Sequence, residues 1–377
     1  MVLLTIDPGA ELYTRFGHTA LWVAPEGESK GSVYNFGVFY PSPGMLADWL
    51  RGEQQYWLGV MQLDSTLMRY AREGRGVRAM RLHMPPEAAE HLQARLDELA
   101  RPENAAYRYD WLTNNCSTRP RDLLDECLGG TLAPQLAEPA GVSARSEAMR
   151  HVSRDFPLWW ALHFALGPST DVELSRWEAM YLPGTLDADI GAAVVPGQEQ
   201  PLGGERCELV AGRYPAPPAE DAKRDTPLRT AGLLGCVALT VLGDKGAHNR
   251  LLRALFGLGM ASFGLVAGLL GTLSAGLWAA TPLTTAWQNH NLFFANPLTL
   301  GLVPLGLAVV FGRGIRRARS LSMTLVTIAA LGTILAIGQV LAFQSQGPVI
   351  SLLFPLLIGL TLGIHRMSAC AGGDGKP

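Results

Sequence analysis

The chain of 377 residues carries 31 Lys and Arg against 33 Asp and Glu, and only 17% of it is charged. A net charge of -2 gives no support for nucleic-acid binding, while a mean hydropathy of +0.14 is high for a wholly soluble protein. The five cysteines (Cys116, Cys127, Cys207, Cys236, Cys370) show no CxxC or Cys/His ligand spacing, so neither a structural zinc site nor another cofactor is expected.

Residues 1–227 hold most of the charge and are long enough to bury a full core. Met1–Asp7 lacks a basic n-region and a long apolar stretch, so it reads as a core strand rather than a signal peptide. Strands are expected at 3–6, 18–24, 32–36, 55–62 and 77–83, where β-branched and aromatic residues run between turn signals. Helices are expected at 8–15, 45–51, 66–73 and 86–100; the last opens on Pro85-Pro86 and puts Leu92, Leu96 and Leu99 on one face. A further helix, 116–128, has Leu123, Leu124, Cys127 and Leu128 on its apolar face and ends at Gly129-Gly130. Residues 144–152 and 156–166 also read as helical, the second as core or as an interfacial helix through Trp159 and Trp160. Residues 191–225, rich in Pro, Gly and Ala, read as a linker. The fold class is α+β with a largely antiparallel sheet. A Cys127–Cys207 disulfide is conceivable, with little weight behind it.

Beyond residue 228 the chain is mostly apolar. Five spans are marked: 230–243, 254–280, 292–312, 321–343 and 348–364. The first is short, reaching only ~21 Å against a ~30 Å hydrocarbon core. Lys245, Arg250 and Arg253 follow the first span; Arg313, Arg316, Arg317 and Arg319 follow the third; Arg366 and Lys376 follow the fifth. The loops after spans two and four have no Lys or Arg. The positive-inside rule then puts the basic loops and the C-terminus in the cytoplasm and the N-terminal domain outside; Lys223, Arg224 and Arg229 run against that assignment. If residues 230–243 were a buried helix instead, the domain would be cytoplasmic. Gly264 and Gly268 form a small-xxx-small pattern, read as close helix packing rather than a dimer motif.

The chemistry lies in two short segments, Phe16-Gly17-His18-Thr19-Ala20 and Asn114-Asn115-Cys116-Ser117-Thr118-Arg119-Pro120. A cysteine at a helix start meets unpaired N–H groups and the positive end of the dipole, which favour thiolate. An imidazole beside it can take the proton, so the pair suits acyl transfer through a thioester. The competing readings are a buried structural cysteine and a satisfied histidine at a strand end. The polar run Asn114, Asn115, Ser117, Thr118 is poor core and a good cap, which favours the catalytic reading of Cys116. Asn35 is a candidate to orient His18, or a turn residue. Asp110 and Arg119 are candidates to pair and brace the Cys loop, with Arg119 alternatively meeting a lipid phosphate. Asp171 is a candidate cap for a helix at 173–181, and His290 either faces the site or lies at the membrane boundary.

The order His-then-Cys is that of circularly permuted papain-like (NlpC/P60-like) thiol enzymes. The chain resembles the Lnb-type bacterial lipoprotein N-acyltransferases through Pro8-Gly9, Tyr13, Phe16-Gly17-His18-Thr19-Ala20 and Val33-Tyr34-Asn35-Phe36-Gly37. Further matches are Tyr107, Tyr109-Asp110, Asn114-Asn115-Cys116, Thr118-Arg119-Pro120-Arg121-Asp122, Leu166-Gly167-Pro168, Asp171 and Met180-Tyr181-Leu182-Pro183. Trp287, His290-Asn291 and Asn296-Pro297-Leu298 look like that family's membrane loop. The resemblance implies that Cys116 takes a fatty acyl chain from a membrane phospholipid and passes it to the α-amine of a lipid-modified N-terminal cysteine on a lipoprotein, with His18 as base. Beside Cys116 and His18, Asn35 is a further catalytic candidate, and Tyr34, Asn115, Asp110, Arg119, Asp171 and His290 are supporting ones. The chain departs from the family's usual export segment by starting within its first strand. The organisation expected is an extracytoplasmic catalytic domain (1–190), a linker (191–227), a transmembrane bundle (228–366) and a cytoplasmic tail (367–377), in a bacterial inner membrane. The alternatives are a membrane-tethered cysteine hydrolase of the same fold and a non-enzymatic membrane scaffold.

Overall fold

A computed structural model describes residues 1–24, 31–40, 43–221, 224–338 and 344–373. It divides into two units, Met1–Arg154 with Val172–Asp221, and Asp155–Asp171 with Ala222–Pro377.

The first unit is α+β. Among the described residues it holds β1 (Val2–Ile6), β2 (His18–Val23), β3 (Ser32–Val38), β4 (Gln55–Gln62), β5 (Val77–Leu82), β6 (Ala106–Arg108), β7 (Pro139–Ser143), β8 (Glu173–Ser175) and β9 (Gly203–Val210). Seven of these form one sheet in the order β6-β4-β3-β2-β1-β5-β9, with every neighbouring pair antiparallel. Side chains alternate across a strand. Leu3, Leu21, Tyr34, Phe36 and Met80 therefore share one core with Leu92 and Leu96 of helix Pro86–Leu99 and Leu123 and Leu124 of helix Thr118–Cys127. Leu4, Ile6, Ala20, Val33 and Val77 face the other way, onto Tyr70 of helix Leu63–Glu73. Covered on both faces, β1 is apolar except for the buried Thr5.

Three local expectations change. The segment 8–15 is not a helix: only Leu12–Thr14 makes a 3-10 turn, and Gly17 at φ +82° turns the chain into β2. The segment read as a linker supplies β9, which pairs Cys207 with Ala79 of β5. That edge strand is exposed along Glu205–Glu208, so no apolar alternation betrays it. Cys127 is buried in the core while Cys207 is exposed on β9, and all five cysteines are free thiols.

In the second unit, Asp225–Gly246, Arg250–Ala280, Ile315–Ile337 and Gly347–Cys370 are each long and apolar enough to cross a membrane. The first is longer than expected, 22 residues or roughly 33 Å at 1.5 Å per residue. Its ends, including Asp225 and Asp244-Lys245, are polar but helical, so hydropathy alone cut it short. The third expected span is broken. Thr284–Phe293 and Pro297–Val310 form a pair bent by 48°. Asn289 Oδ1 accepts from Asn291 N at 2.9 Å and Asn296 Oδ1 from Leu298 N at 3.1 Å, and Pro297 has no N–H to continue a helix. The end of the fourth expected span (339–343), Lys223, and the end of the tail (374–377, with Lys376) lie outside the described residues.

Glycines set the packing here. A methyl on Gly243 would collide with the backbone of Gly363, and one on Gly264 would sit 2.7 Å from Leu302 Cβ, so the small-xxx-small pattern serves close contacts within the chain. The helix Phe156–Ala165 belongs to this unit, with Trp159 1% exposed. Asn289 Nδ2 donates to Phe164 O at 2.7 Å and Asn291 Nδ2 to His163 O at 3.1 Å, which satisfies carbonyls that the helix end leaves open.

Candidate active site

The Cys loop is built by side chains bonding their own backbone. Asp110 Oδ1 accepts from Leu112 N (3.0 Å), Thr113 N (2.7 Å) and Thr113 Oγ1 (2.8 Å). Asp110 and Asn114 exchange both backbone hydrogen bonds, at 3.1 and 3.0 Å. Asn115, 4% exposed, is the pivot. Its Oδ1 accepts from Ser117 N (2.7 Å) and Thr118 N (3.0 Å), while its Nδ2 donates to Trp111 O (2.7 Å) and Tyr181 O (3.1 Å). Asn115 thus caps the helix Thr118–Cys127, and Cys116 stands just before that helix rather than in its first turn.

The loop is tied to the histidine strand. Thr19 Oγ1 and Ser117 Oγ lie 3.0 Å apart in a buried hydrogen bond, so the residues next to His18 and Cys116 are locked together. Gly37, at φ +96° on the end of β3, marks where the groups meet. A methyl placed on it would lie 3.5 Å from Cys116 Cβ, 3.9 Å from His18 Cε1 and 3.9 Å from Tyr107 Oη. The three side chains therefore surround one small space. Asn35, 4% exposed, hydrogen-bonds the His18 ring through its side chain.

The electrostatics differ from the helix-start expectation. Burial pushes the Cys116 thiol up, against smaller opposing effects from Thr19 N–H, the Ser117 hydroxyl, Arg75 and its own N–H. At the helix start, the Ser117 and Thr118 N–H groups are taken by Asn115 Oδ1. Burial, followed by the Arg75 guanidinium and more weakly Arg69, pushes His18 down to about 3, with Asn35 pulling the other way. Both shifts run against charge on the pair, toward thiol on Cys116 and neutral imidazole on His18.

Other candidates fall elsewhere. Asp110 and Arg119 do not pair. Asp110 is spent on its own turn, while Arg119 Nη1 donates to Asn114 Oδ1 at 3.2 Å and its guanidinium lies 4.3 Å from the Tyr107 ring centroid. Tyr34 is on the opposite face of the sheet from His18, donating to Asp97 Oδ1 at 2.5 Å, because neighbours on a strand alternate. Asp171 does not cap the next helix. That helix is only Arg176–Ala179, and Ser175 caps it with Glu178. His290 lies in the second unit, its N–H donating to Gln344 Oε1 at 2.7 Å.

Sequence reasoning missed Arg75, Tyr70 and the role of Tyr107. Arg75 is 4% exposed; its Nε donates to Asp7 O at 2.8 Å and its guanidinium lies 5.1 Å from the Tyr70 ring, which in turn is 6.2 Å from the His18 ring. Its one signal was the pair of flanking glycines, Gly74 and Gly76, where Gly76 leaves no room for a side chain beside Asp7. Tyr107 stood in a quoted motif without a function.

No curated protein and no solved structure matches the chain. Residues 1–145 match the family model described as the Lnb N-terminal periplasmic domain. With four helices among the described residues long and apolar enough to cross a membrane, the match supports a membrane protein whose N-terminal domain is periplasmic. The family whose model the N-terminal part of the chain matches is thus the one its motifs resemble, the Lnb type.

Proposed function

We propose that the protein is a lipoprotein N-acyltransferase working through a Cys116 thioester. The observation that carries the reading is the meeting of Cys116 and His18 around the Gly37 space, in a chain that carries membrane-capable helices. Cys116 Sγ attacks the ester carbonyl of a phospholipid while His18 takes the thiol proton. His18 returns that proton to the departing glyceryl oxygen, leaving the acyl group on sulfur. The α-amine of a lipidated N-terminal cysteine then attacks the thioester while His18 takes its proton, the carbon–sulfur bond breaks, and His18 returns the proton to Cys116 Sγ. Asn35 holds the imidazole for both steps. Because its surroundings disfavour charge on both partners, His18 serves as a general base in this reading rather than as one half of a standing ion pair.

In this reading the first unit has the permuted papain-like arrangement, with the histidine strand ahead of the cysteine turn. Both substrates are lipid-anchored, which accounts for a thiol site joined to membrane helices. The basic loops favour a C-terminus on the cytoplasmic side. The test is mass spectrometry of a model lipoprotein's N-terminus after expression with the wild-type protein or Cys116→Ala. An added N-linked acyl chain with the wild type only is expected. An unchanged acyl count in both would sink the transferase reading, and release of free fatty acid in its place would favour the hydrolase.

A further inference from the structure

Tyr107 carries an unused hydrogen-bond donor into the centre of the candidate site. It lies on the short edge strand β6, opposite Tyr56 of β4, and is 9% exposed. Its hydroxyl is within 3.9 Å of the point that also lies 3.5 Å from Cys116 Cβ and 3.9 Å from His18 Cε1. The Gly37 backbone N–H acts on the phenol oxygen, but the phenol proton finds no acceptor among the described residues. A buried hydroxyl without a partner lowers stability, so its retention beside a nucleophile points to a partner that arrives with the substrate. The neighbouring Tyr56 hydroxyl is engaged differently, accepting from Gln54 Nε2 at 3.2 Å.

A second observation concerns the strength of that donor. The Arg119 guanidinium lies 4.3 Å from the Tyr107 ring centroid and 5.3 Å from that of Phe36, anchored on Asn114. Burial pushes the Tyr107 phenol upward, and Arg119 pulls it down. The phenol therefore stays protonated while the cation makes it a better donor, as suits stabilisation of charge that appears only in a transition state.

We propose that Tyr107 Oη donates the side-chain hydrogen bond to the oxyanion formed when Cys116 Sγ attacks the ester carbonyl, with Arg119 as the residue that positions and polarises it. This rests on the acyl-transfer reading above. As the sulfur–carbon bond forms, the carbonyl π pair moves onto oxygen and the thiol proton goes to His18. Tyr107 keeps its proton throughout. When the tetrahedral species collapses, the pair returns, the carbon–oxygen bond to the glyceryl group breaks, and His18 protonates the leaving oxygen. The same donor serves the second oxyanion, when the amine attacks the thioester.

The test separates oxyanion stabilisation from thiol reactivity, using the full-length protein in detergent micelles. Iodoacetamide alkylation of Cys116 needs the thiol but creates no oxyanion, whereas acylation by a p-nitrophenyl acyl ester needs both. Tyr107→Phe is expected to slow Cys116 acylation by about 100-fold or more while alkylation stays within about twofold, which also reports an intact site. Arg119→Met is expected to slow acylation by about 10-fold with alkylation unchanged, and Arg119→Lys to recover most of that loss. Wild-type acylation by Tyr107→Phe would overturn the proposal, as would equal loss of acylation and alkylation, which marks a role in holding the thiol. Ester turnover persisting in Cys116→Ala would instead overturn the acyl-transfer reading itself, independently of Tyr107.

Discussion

Burial raises Cys116 and depresses His18, and both directions have measurable consequences. The alkylation rate of Cys116 is expected to keep climbing with pH past 9, rather than levelling near neutrality as an imidazolium-paired thiolate would. A plateau below pH 7 would show a standing ion pair. His18 links to stability with a definite sign. Its folded value of about 3 lies below the ordinary imidazole value of 6.5, so between those pH values the unfolded chain binds the extra proton. Stability present above pH 6.5 is therefore lost as pH falls toward 3. His18→Gln removes that share of the loss, which thermal unfolding at stepped pH would detect as a flatter acid limb. Asn35→Ala, which frees the imidazole, is expected to lower turnover about 10-fold or more with little change in alkylation of Cys116. His18, Asn35 and Cys116 were legible in the sequence as residue types in short motifs. Arg75 was not, because its influence depends on a close approach to β1 and Tyr70 that no spacing in the chain expresses.

At the scale of elements, the site depends on one cap and one glycine. Asn115 holds two carbonyls and two N–H groups at once. Asn115→Ala is expected to cost about 2 kcal/mol or more, seen as a lowered unfolding temperature, and to slow both alkylation and acylation because the Cys116 backbone loses its brace. An unchanged unfolding temperature would show that the turn is held elsewhere. Gly37→Ala places an L-residue at φ +96° and a methyl in the space between Cys116, His18 and Tyr107. Loss of acylation with a modest loss of stability is expected. The central strands and the main helices were legible through apolar period and turn residues. The missed pieces were β6, only three residues long; the β7–β8 ladder; β9, whose exposed middle carries no core pattern; and the helix Pro183–Ala192, whose Leu186 and Ile190 are buried in the core. The 3-10 turn at Leu12–Thr14 replaced an expected helix for a related reason: a few residues of favourable composition do not outweigh the turns around them.

Over the whole molecule, the open question of topology reduces to the bent pair. Thr284–Phe293 and Pro297–Val310 either cross the membrane together or return to the face they left. Arg313, Arg316, Arg317 and Arg319 follow them, and basic loops stay in the cytoplasm, which favours crossing. A periplasm-active reporter fused at Gly312 is therefore expected to be silent, as is one at Lys245, while one at Thr281 is active. Activity at Gly312 would make the pair re-entrant and move the C-terminus to the periplasm. Hydropathy located the apolar regions correctly, but it shortened Asp225–Gly246 at its polar ends and did not foresee the Asn and Pro break, since both are effects of backbone geometry rather than of composition.

The most direct test is whether Cys116 carries the acyl chain. The purified full-length protein would be incubated with phospholipid in the absence of acceptor, digested, and the Cys116 peptide weighed. A fatty acyl adduct on that peptide is expected, released by neutral hydroxylamine, transferred when a lipopeptide with a free α-amine is added, and absent from Cys116→Ala. A Cys116 peptide that stays unmodified while the acceptor still gains an acyl chain would contradict the thioester account.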